Sequence, residues 1–125
     1  MLTCVLVEDE PLLRELLTEV LRSHPATRML GSVGTAAEAI ALCQQQAPDL
    51  LVLDLNLPDG SGLEVALTLA AEGSDTAVVV LSAEAGCFVC PPQLRPRLRG
   101  VIDKIHAYEA LPAEIDDMLA RGVQA

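Results

Sequence analysis

Short β-rich runs and segments of helical period take turns along this sequence. Residues 3–7 (TCVLV), 28–33, 50–53 (LLVL), 77–81 (AVVVL) and 100–103 read as strands. Between them lie helical patterns. Pro11 can open the first, since a missing N–H costs nothing at a first-turn position. Leu12, Leu13, Leu16, Leu17, Val20 and Leu21 then recur at helical spacing to residue 23, and Pro25 ends the run. Thr35 with Glu38, and Ser61 with Glu64, form capping boxes for helices to about residues 46 and 71. A last helix is expected over 109–121, with Leu111, Ile115, Met118 and Leu119 on one face. The runs at 50–53 and 77–81 are apolar on both faces, as in a buried parallel sheet. Strands alternating with helices predict one α/β domain over residues 1–125, with a doubly wound five-stranded parallel sheet of order 2-1-3-4-5. Residues 84–99 interrupt the pattern. Gly86, Pro91, Pro92 and Pro96 leave room there for a loop or one short turn, so the fourth helix should be irregular or shortened.

The composition excludes several functions. No apolar run approaches the length of a membrane span, and the first residues lead into acidic ones without the features of a secretory signal. Eight Lys and Arg against eighteen Asp and Glu give a net charge of -10, which opposes direct nucleic-acid or anionic-membrane binding. Aromatics at 2% exclude a base-stacking surface. The expectation is a cytoplasmic protein with reduced thiols that holds cations or meets a basic partner. Cys4 and Cys43 fall in strand-like and helix-like runs and read as small buried apolar residues.

Ligands of open α/β sheets bind beyond the carboxyl ends of the strands. Glu8, Asp9 and Glu10 follow the first strand, Asp54 the third, Ser82 the fourth and Lys104 the fifth. A lone Asp after a strand is more often a cap or turn residue, and Ser82 or Lys104 alone would read as turn and solvated surface. Their joint placement on one rim points to function. Two carboxylates about 4 Å apart repel by roughly 4 kcal/mol at an effective dielectric near 20. Glu8, Asp9 and Asp54 therefore call for a counter-ion or a raised pKa, and hard oxygen ligands suit Mg2+ (or Mn2+). With Lys104 and Ser82 beside it, such a site would stabilise a transferring phosphoryl group, and Asp54 is the candidate nucleophile.

The segments LVEDEPLLRELL, DLLVLDLNLPDGSGLEV, VVVLSAE and GVIDK together resemble the receiver domains of bacterial two-component response regulators over nearly the whole chain. The resemblance implies a flavodoxin-like fold and a phosphorelay switch. Asp54 would accept a phosphoryl group from a histidine kinase or phosphotransfer domain. Asp9, Asp54 and the backbone carbonyl of Asn56 would bind Mg2+, with Glu8 acting through a metal-bound water. Ser82 and Lys104 would contact the phosphoryl group, while Asn56 and Glu84 would tune its hydrolysis. Pro58, Gly60 and Gly62 would shape the adjoining loop. Catalysis would be limited to self-phosphorylation and weak autodephosphorylation. Output would run through an effector domain, such as a transcriptional one, or through a homodimer. The family's lysine is usually followed by proline across a cis peptide. Here Ile105 follows Lys104, and Val101 stands where an aromatic switch residue is expected. The resemblance thus implies intact phosphorylation chemistry with an altered read-out.

Other readings stay open. A docking module that keeps the fold without the switch accommodates Val101 and the broken fourth helix. A phosphatase of the aspartyl-nucleophile type would need an Asp where Asn56 stands. A flavin site would place phosphate against Glu8, Asp9 and Glu10. Cys87 and Cys90 form CFVC; a zinc site there would need further ligands, with His106 a candidate. The plainer reading is two reduced thiols, with Phe88 and Val89 packing the loop to the sheet. His24 and His106 are expected in solvent.

Overall fold

The computed structural model describes residues 1–122. Its elements are β1 (Leu2–Val7), α1 (Pro11–Ser23), β2 (Thr27–Val33), α2 (Ala36–Gln46), β3 (Leu50–Asp54), α3 (Gly62–Ala71), β4 (Ala77–Ser82), β5 (Leu98–Asp103) and α4 (Ala107–Arg121). The five strands form one parallel sheet in the order β2-β1-β3-β4-β5, the predicted doubly wound arrangement. β1, β3 and β4 are buried almost throughout because both faces are covered. Alternate residues feed two cores. Cys4, Leu6, Val52, Val79 and Leu81 pack with Leu17 and Leu21 of α1 and Leu111, Ile115 and Met118 of α4. Val5, Val7, Leu51, Leu53 and Val80 pack with Ala39 and Cys43 of α2 and Val65 and Leu69 of α3.

The helix starts follow their caps. Glu10 accepts from the amides of Leu12 and Leu13 at 3.3 and 2.7 Å, with Pro11 inside the first turn. Thr35 accepts from the Glu38 amide at 3.2 Å and donates to the Glu38 carboxylate at 2.9 Å. Ser61 caps α3 through the Leu63 amide at 3.2 Å.

Several local expectations need correction. Leu12 is 76% exposed and Leu16 44%, so α1 buries only part of its leucine pattern. On α4, Leu119 turns outward while Leu111, Ile115 and Met118 are buried. That helix begins earlier than the pattern suggested, behind a single 3-10 turn over Lys104–His106, and it carries Pro112 in its interior. Between β4 and β5 the chain forms two 3-10 turns, Ala85–Cys87 and Pro92–Leu94, rather than one. Leu94 is 1% exposed and fills the second core, with Phe88 partly buried beside it. One buried leucine thus does the packing a helix face would do. Val89 points to solvent at 82% exposure and does not pack the loop to the sheet. His24 is held rather than free in solvent: its Nε2 lies 2.7 Å from an Asp116 carboxylate oxygen and its Nδ1 accepts from the Ala26 amide.

Candidate functional site

The parallel sheet brings the ends of β1, β3 and β5 to one rim. Glu8 follows β1 and is fully buried, and Asp54 closes β3 and is fully buried as well. Asp9 is exposed. One oxygen from each of these three carboxylates lies within 4.8 Å of the other two. Among the described residues this is the one group of three or more His, Cys, Asp or Glu side chains with such spacing. Cys87, Cys90 and His106 therefore form no metal centre, and His106 lies instead in solvent, 4.0 Å from Glu109.

Lys104 reaches in from the end of β5. Its Nζ is 3.0 Å from Asp54 Oδ2 and 3.1 Å from Glu8 Oε1. Glu8 Oε2 accepts from the Glu10 amide at 3.0 Å. Glu8 Oε1 is buried and accepts no hydrogen bond, its contact with Lys104 being an ion pair outside hydrogen-bonding geometry. Burial drives the Glu8 carboxyl upward in pKa; the Asp54 charge adds to this, and the Glu10 amide and Lys104 only partly oppose it. For Lys104 burial acts downward, but Asp54 and Glu8 outweigh it and raise the ammonium's pKa. Two buried carboxylates and a third beside them face a single ammonium. An oxygen-only set with surplus negative charge, and a buried Glu8 oxygen that accepts no hydrogen bond, fits a hard divalent cation.

The loop after β3 holds the site in shape. Asp54 Oδ1 accepts from the Asn56 amide at 3.0 Å. Asn56–Leu57 and Gly60–Ser61 pair as a short antiparallel hairpin, which the sequence reading left as an open loop. A Cβ at Gly62 would lie 2.0 Å from the Asp54 carbonyl oxygen, so only glycine lets α3 start this close to the acidic residue. Gly60, at φ +149, follows the tip formed by Pro58 and Asp59 in a backbone conformation that favours glycine. The peptide after Lys104 is trans, as are all others among the described residues, so Ile105 enters the 3-10 turn directly.

Ser82 ends β4 and is buried, and its Oγ accepts from the Glu84 amide at 3.1 Å. Asn56, Ser82 and exposed Glu84 line a cavity of about 450 Å3 that also touches Cys87 and Phe88. Glu8, Asp9, Asp54 and Lys104 thus converge as expected, with Asn56 and Ser82 on the adjoining rim. Two contributions went unread in the sequence. Arg14 donates to the Glu8 carbonyl at 3.4 Å from the next turn of chain. Asp59, at the hairpin tip, accepts from the amides of Ala36 and Ala37 at 2.7 and 3.0 Å. A Pro-Asp-Gly stretch signals a turn, but nothing in it reveals a helix start more than twenty positions away.

Comparison with known proteins adds the kinship. The profile of the response regulator receiver domain matches residues 4–116. The probable transcriptional regulatory protein TcrX of Mycobacterium tuberculosis is 31% identical over 119 residues, 95% of this chain and 47% of that protein. A protein-glutamate methylesterase/protein-glutamine glutaminase of Syntrophus aciditrophicus is 35% identical over 83 residues, 66% of this chain and 23% of that protein. The chain therefore spans about half, or less, of the length of these curated relatives. Among solved structures, the signal receiver domain of a putative Luxo repressor protein from Vibrio parahaemolyticus superposes with a TM-score of 0.83 at 24% identity, over 96% of this chain and 91% of that one. The response regulator domain of Thermotoga maritima CheB gives 0.82 at 20%, over 100% and 98%. These likenesses establish the shared fold.

Proposed function

Because the chain belongs to the response regulator receiver domain family, we propose that it is a phosphorylatable switch with Asp54 as its phosphoacceptor. The observation that carries this reading is Lys104 bridging Asp54 and Glu8 beside Asp9, two fully buried carboxylates and a third held against one ammonium. The donor would be a phosphohistidine on a histidine kinase or phosphotransfer domain. An Asp54 carboxylate oxygen attacks phosphorus as the P–N bond breaks, and the imidazole leaves with the bonding pair and takes up a proton.

Asp9, Asp54 and the Asn56 carbonyl would hold Mg2+ (or Mn2+), with Glu8 acting through a bound water. When bound, the ion would neutralise the carboxylates and stabilise the charge on the phosphoryl oxygens. Lys104 moves from the bare carboxylate to the new phosphoryl oxygen. The Ser82 hydroxyl, which accepts from the Glu84 amide, donates its proton there. Asn56 and Glu84, at the cavity edge, govern the approach of hydrolytic water. The whole of residues 1–125 is taken as one receiver unit, working in the cytoplasm, whose own catalysis is self-phosphorylation and slow autodephosphorylation. Output passes to an effector domain, to a partner or through a homodimer.

Incubation with a small acyl-phosphate donor and Mg2+ tests this. Intact-mass analysis should show one added phosphoryl group, absent with chelator and absent in Asp54→Asn. Persistent labelling of Asp54→Asn would overturn the assignment. A phosphorylation-independent docking module is the second reading, favoured by half-buried Val101 on β5 and by the missing helix before it. It requires binding to a partner that is the same for wild type and Asp54→Asn.

A further inference from the structure

We propose that Asp59 is a positioning residue for the phosphoacceptor loop, clasping the hairpin after β3 to the start of α2. This rests on the reading of Asp54 and Asn56 given above. The hairpin connects Asp54 to α3, and Pro58 and Asp59 form its tip. Few contacts restrain that tip. Leu57 is buried in the second core, but Asn56, Pro58, Gly60 and Ser61 are exposed. Asp59 supplies the missing anchor. Both of its carboxylate oxygens are used, one on the Ala36 amide and one on the Ala37 amide. Those amides belong to the first turn of α2, where no backbone carbonyl can reach them. The two bonds hold the Asp59 carboxyl below its ordinary range, with the Ala36 amide the larger cause.

The clasp acts at a distance through a short rigid path. Asn56 pairs with Ser61 and Leu57 with Gly60, so fixing the tip fixes the hairpin's register. The Asn56 amide holds Asp54 Oδ1, and the Gly62 amide holds the Leu55 carbonyl at 2.9 Å. The chain carries the Asn56 carbonyl, a proposed cation ligand, on this same short ribbon. The Thr35 hydroxyl caps the same helix through its two bonds with Glu38. The two caps of α2 therefore separate helix stability from loop positioning.

The experiment compares Asp59→Ala, Asp59→Asn and Thr35→Ala with wild type. The first readout needs no metal: amide hydrogen exchange of Asn56 and Gly62 in chelator. Exchange should quicken in Asp59→Ala and stay at the wild-type rate in Thr35→Ala, although both lower the unfolding temperature. The second is Mg2+ affinity by calorimetry, since the chain has one Tyr and no Trp to report binding by fluorescence. Loss of an indirect ligand support typically costs roughly tenfold or more in affinity, which is expected for Asp59→Ala. Asp59→Asn keeps one oxygen acceptor but sets an NH2 group against the second amide, so both readouts should fall between those of Asp59→Ala and wild type. Wild-type exchange in Asp59→Ala, or equal effects from Thr35→Ala, overturns the clasp. A wild type that binds no Mg2+ while the exchange result holds would sink the cation reading and leave the clasp standing.

Discussion

Replacing Asp9 by Asn should make the metal-free protein more stable. Asp9 is exposed, yet its carboxylate lies within 4.8 Å of oxygens on buried Glu8 and Asp54. Unit charges at that separation repel by roughly 3.5 kcal/mol at an effective dielectric of 20 and by about 0.9 kcal/mol in bulk water. Asp9 faces water on one side, so each repulsion falls toward the lower figure, and attraction to Lys104 offsets part of the pair. A net gain of roughly 1–2 kcal/mol follows. For a domain of this size that is about 4–8 °C in unfolding temperature. Thermal unfolding followed by far-UV circular dichroism in chelator measures it. Mg2+ at a hundred times its dissociation constant should add about 2.7 kcal/mol to wild type. Asp9→Asn should gain far less, so the order of stabilities narrows or reverses. High monovalent salt should shrink the chelator gap without reversing it. An Asp9→Asn protein that unfolds at or below the wild-type temperature in chelator refutes the reasoning, because the three carboxylates would then not be in mutual conflict.

Further outcomes are expected at other positions. Gly62→Ala places a methyl 2.0 Å from the Asp54 carbonyl oxygen and should cost about 3 kcal/mol in denaturant unfolding, with loss of Asp54 phosphorylation. Lys104→Met strands two buried carboxylates and should cost roughly 3–5 kcal/mol at neutral pH, a deficit that shrinks as acid protonates Glu8, whose carboxyl is already pushed upward by burial. Burial chiefly, with the Asp117 charge, raises the Glu114 carboxyl's pKa in the folded state. Its contribution is therefore fully present below the unfolded carboxyl pKa and is lost as pH rises through the folded one. Glu114→Gln should be more stable than wild type at neutral pH, with the difference fading toward pH 4. Burial pushes the Cys4 and Cys43 thiols to about 12. A thiol-reactive dye should accordingly label exposed Cys87 first, then half-buried Cys90, and reach Cys4 and Cys43 only on unfolding.

Local signals carried most of the fold. Pro11, Thr35 and Ser61 act within a few residues of themselves, and the two-sided apolar runs of β3 and β4 leave little choice but a covered parallel sheet. The acidic rim was legible for the same reason, since the strand ends alone place Glu8, Asp54 and Lys104 together. What stayed hidden depends on distant partners. The clasp at Asp59 is set by α2, and His24 is held by Asp116 on α4. Leu12 and Leu16 fit a helical stripe, but the stripe is wider than the sheet face that covers it. Val89 shows the same limit: its hydrophobicity could not tell which of two neighbours turns inward, and Phe88 does.

The central strands also pose a problem of alignment. With apolar side chains on both faces, sliding β3 by one residue would exchange its two layers at little cost in burial. The ends forbid it. Asp54 stands opposite Leu81, and Ser82 opposite Asp103. A shift by one would drive a carboxylate into oil or pull leucine out to water. Asp54 thereby also marks where β3 stops against β4, so the register of the central strands is set at their ends and not along their lengths.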